Sequence, residues 1–183
     1  MSQEVKEIKN AIDFLYNNYE FKSLILIGHS TGAIDASLYA YKDKRIDKLV
    51  LSGAVSDLKY AARYDFNDEQ IKDFWEKGYI IYRKVKGRKK HWVQGKKLKK
   101  AFYDEFFILN IFKAMRKWNK PLLIIHGEKD EAIPSSKDPY ELYKLCKCRK
   151  KLVIIKGSDH SYSDKKCWKR FVKVVDNFIR RKV

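Results

Sequence analysis

Leu24-Ile25-Leu26-Ile27-Gly28-His29-Ser30-Thr31-Gly32-Ala33 is the stretch that decides the reading of this chain. Four consecutive β-prone apolar residues describe a strand covered on both faces, as strands are in parallel sheets. The G-x-S-x-G that follows marks a sharp turn, and the Ala-rich residues 32–41 continue as a closely packed helix. Ser30 therefore falls between a strand and a helix, where its hydroxyl projects above the sheet and the flanking glycines admit contacts that a Cβ would block. Free N–H groups at the start of that helix favour an anionic oxygen. The pentapeptide alone is weak, since ordinary glycine usage produces it by chance in roughly one chain in twenty. Its position between strand and helix is what carries information.

Outward from this point, residues 48–52, 121–125 and 152–155 repeat the short buried-strand pattern. Helical spacing of apolar residues appears at Val5, Ile8, Ile12, Leu15 and Tyr16, again over residues 140–146, and at Phe171, Val174, Val175 and Phe178. Strands alternating with helices predict an α/β fold with a mostly parallel sheet flanked by helices. Residues 55–118 break the alternation. They place Tyr60, Tyr64, Phe66, Phe74, Trp75, Tyr79 and Tyr82 among lysines, and read as a helical cap inserted into a single domain spanning 1–183.

Composition sets the outer bounds. A chain of 183 residues supports one core, and 45% hydrophobic residues exclude global disorder. Residues 1–10 lack an apolar signal core, and no run approaches the ~18 apolar residues of a membrane span, so a cytoplasmic protein without a transmembrane segment is expected. Cys146, Cys148 and Cys167 form an odd set without a C-x-x-C pair, which predicts reduced thiols and no metal site. The net charge of +18 raises nucleic acid or anionic lipid as a partner. The densest basic run, residues 83–100, lies in the insertion, but lysines are scattered along the whole chain, which favours a solvated surface.

A serine hydroxyl becomes a nucleophile only when a positioned base takes its proton, and that base needs an orienting carboxylate. Four histidines are available. His29 lies in the turn itself, His91 in the lysine run, and His126 at the end of a strand. His160 alone follows a strand through a glycine-containing loop, Lys156-Gly157-Ser158-Asp159, on the sheet rim where α/β folds bind ligands. For the acid, Asp130 sits in the strand-end segment 126–134, with Glu128, Glu131, Asp159 and Asp164 as competitors.

The segments GHSTG at 28–32, HGEKDEAIP at 126–134 and GSDH at 157–160 resemble the α/β-hydrolases, in particular their serine esterase and serine-peptidase-like branch, over nearly the whole chain. The resemblance implies Ser30 as nucleophile, His160 as base and then acid, Asp130 as the group orienting His160, and the Thr31 N–H as an oxyanion donor. Gly28, His29 and Gly32 complete the nucleophile elbow, and no metal or organic cofactor is required. The implied activity is cleavage of a small-molecule carboxylic ester through an acyl-enzyme, with the cap shaping the pocket. A peptidase of the same fold and a non-catalytic basic binding module are the alternatives.

Members of that family carry several strands before the elbow strand, and this chain is expected to lack them. Two expectations follow. The elbow strand should leave an apolar edge open to a second copy or a complementing N-terminal segment. One oxyanion donor should also be missing, a loss of about 10²- to 10³-fold in turnover.

Overall fold

A computed structural model describes residues 1–83 and 94–180. These divide into two compact units, one built from Met1–Ser56 with the chain from Ile111 onward, the other from Asp57–Asn110.

The first unit holds a four-stranded parallel sheet in the order β1-β2-β5-β6, from β1 (Leu24–His29), β2 (Ile46–Ser52), β5 (Leu122–Gly127) and β6 (Lys150–Ile155). Around it lie α1 (Ser2–Asn18), α2 (Thr31–Tyr39) with a 3-10 turn after it (Ala40–Lys42), α6 (Ile111–Met115), α7 (Asp138–Leu145) and α8 (Lys165–Arg180). Alternation along each strand sends side chains to both faces. Val50, Leu123, Ile125 and Ile155 meet Cys167, Val174 and Val175 of α8, with Ile25, Val153, Phe171 and Phe178 packed around them. Helix α2 packs on β1 and β2, and α7 on β5 and β6. Leu49, Leu51, Leu122 and Ile124 are fully buried, so β2 and β5 are covered on both faces, which is why they read as unbroken apolar runs. Each such side chain contributes about 1.5–3 kcal/mol of transfer free energy.

Lys48 lies inside this sheet at only 5% exposure. Its Nζ donates to the carbonyls of Phe178 and Ile179, at 3.2 and 2.7 Å, in the last described turn of α8. Strand β1 ends the sheet on its side, with Ile27 at 47% exposure.

Register fixes what shares a rim. His29 is level with Ser52, Ser52 with Ile125, and Gly127 with Ile155. The ladder runs one residue past each strand, through Ser30 N–H to Ser52 O, Gly53 N–H to Ile125 O and Glu128 N–H to Ile155 O. The loops leaving β1, β2, β5 and β6 thus start side by side at the carboxyl end of the sheet.

The second unit contains α3 (Leu58–Asp65), α4 (Asp68–Lys77), α5 (Lys100–Ile108), and an antiparallel pair formed by β3 (Tyr79–Ile81) and β4 (Lys97–Lys99). Phe66 is its hub, meeting Phe74, Tyr82, Phe102, Tyr103 and Phe106 edge-on. The insertion was expected to be helical, and the strand pair is an addition to that reading. Gly78, left-handed at φ 73, ends α4 and releases the β-prone run Tyr79-Ile80-Ile81 into extended backbone. Residues 84–93, with His91 and much of the basic run, lie outside the described residues. Among the described residues no helix is long and apolar enough to cross a membrane.

Candidate active site

Ser30 caps the N-terminus of α2 with φ 54 and ψ −123, a conformation costly for a residue with a Cβ. A serine at this position normally turns its hydroxyl back onto the first helical N–H groups. Here it makes no such bond. Its Oγ instead lies 2.9 Å from His160 Nε2, and His160 Nδ1 lies 2.8 Å from Asp130 Oδ2. Three side chains from three separate loops are therefore hydrogen-bonded in series.

The turn itself depends on Gly28. A Cβ there would fall 2.3 Å from the Gly32 carbonyl oxygen and 2.7 Å from Ala33 Cα, so α2 could not start so close to β1. A Cβ on Gly32 would meet nothing within 4 Å; its backbone, not its missing side chain, makes the close approach. Thr31 is the first residue of α2, where backbone N–H groups have no intrahelical acceptor. His29 extends beside the series, its ring centroid 4.9 Å from that of His160.

The Asp130 side chain is fully buried, and four donors converge on its carboxylate. Oδ1 accepts from Ala132 N–H at 2.9 Å and Ile133 N–H at 2.8 Å, closing the loop after β5. Oδ2 accepts from His160 and lies 3.2 Å from His126 Nε2. Burial alone would push this carboxyl up. The hydrogen bonds from His126 and His160, with Ile133 N–H, outweigh it and hold the group well below the usual carboxylate range.

The competing acids have other partners. Glu128 accepts from Gly157 N–H at 2.7 Å, Asp159 from Ser163 N–H at 2.8 Å, and Asp164 from the N–H groups of Lys166 and Cys167 at the start of α8. Glu131 accepts from the backbone N–H of His160 at 3.2 Å, tying down the loop that presents the imidazole.

His126 is a participant that spacing did not single out. It is completely buried, and its Nε2 lies 2.9 Å from the Ile133 carbonyl as well as near Asp130. Two acceptors on one nitrogen place a proton there, and Nδ1 has no hydrogen-bond partner among the described residues. The His-Gly pair four residues before Asp130, at the end of a buried strand, was the available signal.

Comparison with known proteins agrees with this architecture. No curated protein sequence matches the chain. The structure is similar to an esterase domain from a Rhodothermus marinus protein, with TM-score 0.72 and 20% identity over 97% of this chain and 68% of that one. It is similar to Est1E from Butyrivibrio proteoclasticus, with TM-score 0.72 and 22% identity over 97% and 70%. The α/β hydrolase GrgF from Penicillium sp. sh18 aligns with TM-score 0.71 and 18% identity over 98% and 71%. The chain thus spans about two-thirds of the length of these solved proteins. The BD-FAE family model matches residues 1–144, so the chain belongs to the BD-FAE family of esterase-type α/β-hydrolases.

Proposed function

We propose that this protein is a serine hydrolase that cleaves carboxylic esters through an acyl-enzyme on Ser30. What supports the reading is the pair of hydrogen bonds in series, 2.9 Å from Ser30 Oγ to His160 Nε2 and 2.8 Å from His160 Nδ1 to Asp130 Oδ2. Ser30 Oγ attacks the ester carbonyl carbon as its proton passes to His160 Nε2. Asp130 accepts the Nδ1 proton in a hydrogen bond, which keeps Nε2 free to act as base and then stabilises the imidazolium. The oxyanion of the tetrahedral intermediate accepts from the N–H of Thr31, where the start of α2 adds a favourable dipole. Collapse breaks the bond to the alcohol oxygen, and His160 returns the proton to the departing alkoxide. Water then repeats the sequence on the acyl-enzyme, releasing the carboxylic acid and restoring Ser30.

Proton transfer by a positioned histidine contributes typically 10²- to 10⁴-fold. Est1E has been solved with ferulic acid bound, which makes hydroxycinnamoyl esters the first acyl class to screen beside short p-nitrophenyl esters. The expected result is turnover of esters, with aminoacyl anilides left intact and activity abolished by Ser30→Ala. Ester turnover that survives Ser30→Ala would overturn the assignment.

A further inference from the structure

The end of β2 supports two imidazoles at once. Gly53 has φ 53, and a Cβ added to it would lie 2.9 Å from His160 Cε1 and 3.4 Å from His29 Cε1. Both rings therefore rest on the Gly53 backbone. Their centroids are 4.9 Å apart with 36° between the planes, so His29 lies against His160 on its way to Ser30.

His29 is in turn held from below. Its Nδ1 lies 3.1 Å from Ser52 Oγ, and Ser52 Oγ lies 2.8 Å from the Tyr162 hydroxyl. Ser52 is fully buried and Tyr162 nearly so, which makes this hydroxyl pair an internal connection in which each group satisfies the other. Tyr162 follows His160 by two residues and adopts φ 53, an uncommon conformation for a bulky residue. Its ring lies 4.6 Å from that of Phe171 on α8 and 6.0 Å from that of His29. The loop that carries His160 is thus pinned through Tyr162 to the strand end beneath His29.

Resting on the reading of Ser30 and His160 as nucleophile and base, we propose that His29, Ser52 and Tyr162 form a positioning chain that holds the His160 imidazole in register with Ser30. The titratable groups facing His29 are His160, Asp130, His126 and Tyr162. Although His29 retains exposed surface, crowding of its ring, and then the charge of His160, push its own pKa below the usual histidine value despite the attraction of Asp130.

The test compares the rate of fluorophosphonate labelling of the full chain for the wild type, His29→Asn, His29→Ala and Tyr162→Phe, beside the NMR ring signals of His160 at one fixed pH. Asn presents an amide nitrogen close to the position of Nδ1 and preserves the bond to Ser52, so it restores the support without the ring. The expected results are labelling slowed about tenfold in His29→Ala and Tyr162→Phe, near-complete recovery in His29→Asn, and displaced His160 ring signals in Tyr162→Phe. Labelling in His29→Ala at the wild-type rate, or no recovery in His29→Asn, overturns the positioning chain. A wild type that fails to label while its His160 ring signals are displaced in Tyr162→Phe overturns the Ser30 reading and leaves the chain standing.

Discussion

His126 and His160 converge on a single oxygen: Nε2 of the first and Nδ1 of the second lie 3.2 and 2.8 Å from Asp130 Oδ2. One imidazole is fully buried behind the carboxylate and the other stands in front of it, so the acid is gripped from both sides. Replacing His126 with Leu keeps the volume close but strips a donor from Asp130 and from the Ile133 carbonyl. The expected cost is about 1–3 kcal/mol of stability, the scale of buried acceptors left unpaired. Fluorophosphonate labelling should slow without disappearing. Urea titration and labelling rates, measured together, check both halves.

Asp130→Asn keeps the shape and removes the charge that fixes the His160 tautomer. Turnover is expected to fall by about 10⁴-fold with KM little changed, because an amide group can donate to Nδ1 and leave the proton on Nε2, where it blocks the base. Steady-state kinetics on a p-nitrophenyl ester would reveal a different pattern, a change confined to KM, if Asp130 served only to shape the loop.

Ser30 carries a backbone conformation suited to glycine and gives up the capping bond that serines usually make. Ser30→Gly should therefore abolish labelling while raising stability by about 1 kcal/mol, since glycine adopts this conformation without the steric cost of a Cβ. Thermal unfolding of the two proteins side by side decides the point.

Acid should destabilise the fold through two carboxylates. Hydrogen bonds from Arg45 hold Asp43 far below its ordinary value despite burial, and Asp130 is held low in the same sense by its histidine partners, against a burial effect of opposite sign. Because both folded-state values lie below the unfolded ones of about 3.9, this stabilisation is complete above roughly pH 5 and is lost as pH falls through and below about 4. Urea midpoints should drop between pH 5 and pH 3. Asp43→Asn should make that drop smaller.

Much of the fold was legible because apolar runs announce doubly covered strands. The segments around Leu26, Val50, Ile124 and Val153 all became strands of one parallel sheet, and the stripe of Phe171, Val174, Val175 and Phe178 became α8. The β3–β4 pair was not legible, because three residues on each side leave too short a pattern and Lys97-Leu98-Lys99 carries little apolar signal. In the site, Ser30 and His160 could be picked out by their places at strand ends and Asp130 only through the family resemblance, since Glu128 and Glu131 share its loop; the structure brings those three side chains into contact. Of the supporting partners, His126 left only the His-Gly signal at its strand end, while Ser52 and Tyr162 look like ordinary strand and loop residues in the sequence, and their meeting depends on the fold and on the left-handed backbone of Tyr162.

Activation of Ser30 by His160 for attack on an acyl carbon is decided by labelling the purified protein with a fluorophosphonate probe and identifying the modified residue by peptide mass spectrometry, with Ser30→Ala and His160→Ala in parallel. One adduct is expected, on Ser30, formed in the wild type and absent or slowed at least about 10³-fold in His160→Ala. Folded wild-type protein that takes up no probe, or an adduct on Ser30 that forms as fast without His160, would rule that activation out.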